Sequence, residues 1–163
     1  MKKLVVLALL ALIGVFVTGR ITLGEAGAHR FLMTSSKLTD EGKSDEICAM
    51  IHEELKFHVI DRTGPSTQEV DGGKQELCAL TQTSITALQL VPHDKETTIS
   101  KLAVTRDLMH PWTSQVTYTE DQDITIRGAN MTVKTTSDAR ITLVQTLTGV
   151  KLLKLDAEIW QAE

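Results

Sequence analysis

The side chains that stand out in this sequence for moving protons or recognising a polar ligand are His58, Asp61, His93, Asp107, His110, Trp112 and the single tyrosine, Tyr118. His58 and Asp61 sit in the strand-like stretch FHVID. Residues three apart on a strand project to opposite faces, so these two do not form a ready acid and base pair, and each needs a partner from elsewhere. Asp107 and His110 flank Leu108-Met109. His110-Pro111-Trp112 reads as a rigid turn between strands that stands at a pocket mouth, with an imidazole able to change charge near neutral pH. His58, Asp61 and His110 are thus the candidate catalytic residues, and Tyr118, Trp112 and Asp107 the candidate pocket residues. The plainer reading outweighs catalysis: a strand connection with Trp112 packed on the sheet edge, because neither a nucleophile nor a metal signature accompanies these groups.

The stretch 42–90 must hold these side chains in place. Residues 29–41 carry Phe31, Leu32, Ser35 and Leu38 on one side and predict a helix ended by Gly42. Ser44 then reads as an N-cap, with Asp45 and Glu46 in the first turn and Ile47, Cys48, Ile51 and Leu55 at helical spacing, which predicts a second, short helix. Residues 57–60 make a brief strand, and 62–71 a loop rich in Pro, Gly, Ser and Thr. Asp71, Gly72 and Gly73 introduce a third helix with an apolar stripe at Leu77, Leu80, Thr81, Ser84, Ile85 and Leu88, stopped by Pro92. A phosphate cradle would need a longer glycine pattern followed by Lys and Ser or Thr, so the Gly-Gly reads as a turn that sets the angle of the helix.

From Glu96 onward the period changes to two. Leu102, Val104 and Leu108 share one side of a strand, and Val116, Tyr118, Ile124 and Ile126 line the next. Residues 128–130 turn the chain, Met131 and Val133 resume the alternation, Ser137-Asp138 is expected to turn it again, and Ile141, Leu143 and Leu147 continue. Gly149 breaks or bulges the strand before 150–160 closes the sheet. The many threonines suit an antiparallel sheet with one wet face, being β-branched yet tolerant of water.

With 163 residues, 42% of them hydrophobic, the chain has enough material for one domain with a real core. A net charge of -4 without a basic run beyond Lys2-Lys3, and only 4% aromatics, exclude a nucleic-acid partner. Lys2 and Lys3 followed by the apolar run 4–17 have the layout of a secretion signal or membrane anchor, so 1–28 is assigned to targeting and 29–163 to the folded domain. The Ala26-x-Ala28 motif lies late for cleavage, which favours a retained anchor with the domain outside; no cysteine follows the run, so a bacterial lipoprotein is excluded. Export places Cys48 and Cys78, on adjacent predicted helices, where disulfides persist, and pairing is the expectation; the alternative is two small buried hydrophobes. Neither a CxxC nor clustered histidines point to a metal, and no cofactor is expected. Asn130-Met131-Thr132 fits a glycosylation sequon, which matters only in a eukaryotic secretory pathway.

The order of elements is α+β, with a curved antiparallel sheet wrapped around N-terminal helices into a cone. It resembles the nuclear-transport-factor-2-like superfamily, the fold of ketosteroid isomerases and SnoaL-like polyketide cyclases, also described as a cystatin-like roll. GKSDEICAMI resembles that family's junction into an apolar helix, LKFHVID its first strand, DGGKQELCAL its glycine turn into the third helix, and RITLVQTLTGVKLLKLDAEIW its final hairpin. The resemblance covers about residues 30–160 and implies a cavity between sheet and helices that takes a small apolar ligand or, in some members, performs catalysis. Isomerase members set a carboxylate base opposite a tyrosine and an acidic donor; here Tyr118 falls in the later sheet and Asp61 does not align with that base. The leading expectation is an exported module, inner-membrane-anchored and periplasmic or secreted, that binds an apolar small molecule or a protein partner and is not an enzyme. An isomerase or cyclase acting through His58, Asp61 or His110 is the alternative, and a homodimer through the sheet is a third reading.

Overall fold

The computed structural model of the chain describes residues 23–106, 109–129 and 131–162. The apolar run 4–17, Asp107, Leu108 and Asn130 lie outside the described residues. Among those described, no helix is long and apolar enough to cross a membrane.

Helix α1 spans Glu25–Asp40 and starts ahead of the expected residue 29. Ala28 and Leu23 are both 0% exposed, so the apolar face begins earlier than the later, more regular spacing suggests. Helix α2 spans only Ser44–Ala49, with Lys43 rather than Ser44 at its N-cap. Strand β1 takes over at once and runs Ile51–Arg62, which corrects both the longer second helix and the brief strand. Ile51 and Leu55 are four apart, a spacing that fits one helix face and one strand face equally, and the sheet decides between them. The loop 62–71 also gives way in part to strand β2, Gln68–Gly72, antiparallel to β1. Only its Val70 packs into a core cluster, so its composition looks like loop.

Helix α3 spans Lys74–Gln89. Gly73 stands at its N-cap and donates its N–H to Glu76 Oε2 at 3.0 Å; the N–H of Glu76 itself, and then that of Gly73, hold the Glu76 carboxyl below the usual range. A side chain at Gly72 would meet Phe57 at 2.8 Å and Glu76 Cβ at 2.9 Å, so the glycine there allows the helix to start against the sheet. Cys48 on α2 and Cys78 on α3 form a disulfide, with Cα atoms 5.6 Å apart and a sequence separation of 30. A closed loop of that length stabilises the fold by about 3.5 kcal/mol on the chain-entropy account. Such bonds persist in oxidising compartments outside the cytosol.

Strands β3 (His93–Arg106), β4 (Thr113–Ile126), β5 (Met131–Thr146) and β6 (Gly149–Gln161) form an antiparallel meander. Strand β1 joins it parallel to β6, so the six-stranded sheet, order β2-β1-β6-β5-β4-β3, is mixed rather than wholly antiparallel. It is curved and unclosed, with the helices on one side: an α+β cystatin-like roll. β3 bulges between Ser100 and Ala103, where Lys101 takes a left-handed φ of 51°.

Two expected features of β5 are corrected. Ser137-Asp138 does not turn the chain: Ser137 pairs with Glu120 on one side and Ile159 on the other, and Asp138 accepts a 2.6 Å hydrogen bond from Thr119 Oγ1 across the ladder. Central strands on both sides satisfy a backbone that turn chemistry alone would have bent. Leu147 does not continue the strand but stands fully exposed at the hairpin tip, beside Gly149 with its φ of 121°.

Alternation divides the sheet into two faces. Val116, Ile141 and Leu143 pack with Leu23, Ala28 and Leu32 of the N-terminal helix region into the main core, on what is here the inner face. The outer face carries cross-strand partners such as Thr119 with Asp138 and Thr136 with Asp121, which accounts for the abundance of threonine.

Candidate functional site: the chamber under the helices

Two adjoining cavities lie between the inner face and the helices. One has a volume of about 170 Å³ and is walled mainly by apolar groups, among them Phe31 and Leu32 of α1, Leu77 of α3, Ile141 and Leu155. The second, about 310 Å³, is more polar: Ser36 and Thr39 of α1, Ser84 of α3, and Lys95, Glu120 and Gln122 of the sheet. Leu32, Ser35 and Tyr118 line both. An apolar chamber with a polar antechamber on this scale suits a small ligand with one polar end, since ligand pockets are typically about 300–1,000 Å³ and mostly apolar with a few placed polar groups.

Tyr118 is the shared wall. It projects inward from β4 because Val116, Tyr118, Glu120 and Gln122 alternate onto one face, directly opposite Ala139, whose small side chain leaves room for the ring. Burial, and secondarily the Glu120 carboxylate two residues away, push its hydroxyl well above the ordinary tyrosine range. The phenol is therefore a neutral donor at any physiological pH. Among the described residues its oxygen has no hydrogen-bond partner. Glu120 accepts a 2.7 Å bond from Gln122 Nε2. The Lys95 side chain is only 7% exposed and meets Asp40, the last residue of α1, at 3.1 Å. An inward lysine at the antechamber is thus neutralised by the helix above it.

The other sequence-derived candidates lie away from this chamber. His58 faces outward and pairs with Asp71 of β2, Nδ1 to Oδ1, at 2.7 Å. Asp61 faces the opposite way, as strand geometry requires, and its Oδ1 accepts from Thr63 N at 2.8 Å and Thr63 Oγ1 at 2.7 Å, which commits it to its own turn. His110 is at the β3–β4 turn, where its carbonyl accepts from Thr113 N at 3.0 Å. Half-exposed Trp112 follows it, and its carbonyl accepts from Gln145 N at 2.8 Å. His93 begins β3, with Nδ1 2.8 Å from the Val91 carbonyl. Asp107 lies outside the described residues. The fold therefore does not bring His58, Asp61 and His110 together, and of the named candidates it sets only Tyr118 in the chamber.

Sequence reasoning missed Glu120, Gln122 and Lys95. The first two were within reach, because they continue the period-two face of Tyr118; Lys95 becomes inward only once β3 is paired. A larger hollow of about 520 Å³ crosses the outer face, lined by His58, Lys101, Arg140, Asp156 and Glu158. It is an open trough whose carboxylates are already engaged, Glu158 with Arg62 at 2.9 Å and Asp156 with Lys154 at 2.7 Å. Among the described residues no three His, Cys, Asp or Glu side chains cluster to hold a metal.

By sequence, no family profile and no characterised protein matches the chain. Solved structures do match its fold. An NTF2-like protein with a cystatin-like fold from Novosphingobium aromaticivorans is 15% identical, with a TM-score of 0.62 over 85% of this chain and 83% of that one. A chain of naphthalene 1,2-dioxygenase, from a structure with indole bound in the active site, is 12% identical with a TM-score of 0.68, covering 85% and 79%. The β subunit of benzoate 1,2-dioxygenase from Burkholderia mallei is 12% identical with a TM-score of 0.66, covering 82% and 89%. At these identities the likeness carries the fold and not the chemistry. The chain has the nuclear-transport-factor-2-like fold, the cone of sheet and helices that its sequence resembles.

Proposed function

We propose that this protein is an extracytoplasmic binding module, tethered at a membrane by its N-terminal segment, whose chamber takes a small apolar molecule carrying one polar group. The observation that carries this reading is Tyr118: a neutral phenol without a partner among the described residues, set where an apolar chamber meets a polar antechamber. Tyr118 lines both cavities, so a ligand oxygen seated there would accept the hydrogen bond of its hydroxyl. The export component is supported by the lysine-led apolar run and the disulfide. Retention of the segment is supported by the core itself, since cleavage after Ala28 would remove Leu23 and Ala28, both fully buried.

Native mass spectrometry of the full chain is expected to find a copurifying apolar molecule, and the intact mass to retain the first residues. Ser35→Phe, at the junction of the two cavities, should abolish binding of an apolar fluorescent probe while the circular dichroism spectrum is kept. Probe binding unchanged by this filling would sink the reading, and a mature start at His29 would sink the tether.

One observation favours an isomerase or cyclase as the second reading. Glu120 and Tyr118 share one wall, a carboxylate able to take a proton beside a phenol able to donate a hydrogen bond. Turnover of the copurified ligand that is lost in Glu120→Gln would establish it; ligand returned unchanged would remove it.

A further inference from the structure

Three large apolar side chains stand exposed on two adjacent turns at one end of the sheet. Met109 and Trp112 are on the β3–β4 turn, and Leu147, more exposed than either, is at the tip of β5–β6. The turns are tied together: Thr113 pairs with Val144, and Gln145 N donates to the Trp112 carbonyl at 2.8 Å.

The described chain enters at this same end. Gly27, in the first turn of α1, lines one small hollow with Val150, the second residue of β6 and three along from Leu147. The last residue of α1, Asp40, meets Lys95 at the opposite end of the sheet, so α1 runs away from the exposed turns. Residues 18–22 are all that separate the apolar run 4–17 from Leu23. Five residues span at most about 18 Å when fully extended. If the run is inserted in a bilayer, the start of α1 and the two turns beside it are held within that distance of the lipid.

From this placement we infer that the Met109, Trp112 and Leu147 end is a membrane-docking tip, which seats these side chains in the interfacial layer of the bilayer that holds the N-terminal segment. The inference rests on the tethered reading above. Tryptophan is suited to the boundary between headgroups and acyl chains, having an apolar body and a polar N–H. Leu90, Val91 and Met131 are also exposed, but at the other end, near the Arg127–Asp94 ion pair. That end lies a helix length away, about 24 Å for the 16 residues of α1, and the tether does not bring it to the surface. The docked tip would fix the orientation of the domain and aim the antechamber, lined by Thr39 and Lys95, away from the bilayer.

The test uses the full chain with phosphatidylethanolamine and phosphatidylglycerol vesicles, some carrying acyl-chain bromines that quench tryptophan. The protein has two tryptophans, so Trp160→Phe leaves Trp112 alone and Trp112→Phe leaves Trp160, which lies at the far end of β6. The expected result is that the chain floats with the vesicles, that Trp112 shifts to the blue and is quenched about twofold or more, and that Trp160 is not. Leu147→Glu, at an exposed position outside the core, should cut the Trp112 quenching without releasing the chain. A chain that floats with Trp112 unquenched, or with quenching indifferent to Leu147→Glu, overturns the tip and leaves the tether standing. A chain that does not float overturns both. A Trp112 shift that follows protein concentration without lipid makes the tip a protein interface and also overturns the inference.

Discussion

Arg140 and Ile141 are consecutive residues of β5, and they belong to different environments. Ile141 is 2% exposed and packs with Val116 and Leu143 beneath α1, whereas Arg140 lies open on the outer face opposite Thr117 and Asp156. The contrast extends along the whole sheet. The inner face spends its side chains on a core and a chamber; the outer face spends them on exposed hydrogen bonds and ion pairs. Burial makes inner contacts dependent on shape, while exposed pairs exchange with water at little cost. The core and the cavities under the helices are therefore both on one face, and the other is turned to solvent.

The largest test of this contrast is to truncate the two neighbours separately. Ile141→Ala is expected to lower unfolding stability by about 2–5 kcal/mol, whereas Arg140→Ala should stay within about 0.5 kcal/mol. Chemical denaturation measures both, and comparable losses would break the distinction. Next comes the disulfide that clamps α2 to α3 over the chamber. Cys48→Ala with Cys78→Ala should cost about 3.5 kcal/mol, and alkylation of the native, unreduced protein should modify neither cysteine. Free labelling in the folded state would disprove the pairing.

A smaller effect of opposite sign is expected at Ser114, buried at 1% exposure with no partner for its hydroxyl among the described residues. Ser114→Ala removes an unsatisfied polar atom and should stabilise the protein by about 1 kcal/mol. A loss of stability would mean that the hydroxyl is paired after all. At neutral pH the smallest effect is the titration of Tyr118. As the only tyrosine, it alone gives the phenolate absorbance. Its folded value is raised above the ordinary 10.0, so its contribution to stability is intact below that value and is lost as pH rises through the higher folded one. The folded protein should show no phenolate at pH values where the urea-unfolded protein is already ionised; coincident titration curves would put Tyr118 in water.

Much of the architecture was legible because period and punctuation are local. Val116 and Tyr118 announce the inner face of β4 by alternation, and the Gly72-Gly73 turn into α3 follows from the pattern after it. Where local chemistry was ambiguous, reading failed. Ile51 and Leu55 satisfy both periods, so only the pairing of Ile51 with Leu152 makes that segment strand. Ser137-Asp138 has turn composition, but two flanking strands satisfy its backbone and Thr119 satisfies its carboxylate. β2 shows almost nothing in composition because an edge strand of five residues needs only one inward side chain.

The candidate site was legible in one residue and not in its company. Strand alternation could put Tyr118 on the core side and could say that His58 and Asp61 oppose each other. It could not say that His58 would find Asp71, that Asp61 would be absorbed by Thr63, or that Lys95 would turn inward under Asp40. By itself, the sequence determined which residues of each element share a face and which cysteines were there to be joined, since 3.6- and 2-residue periods are properties of the backbone alone. Only the tertiary structure decided which faces meet, that β1 lies parallel to β6, and that a phenol, a carboxylate and an apolar chamber share one wall. Those outcomes depend on contacts between segments far apart in the chain, and no local period encodes them.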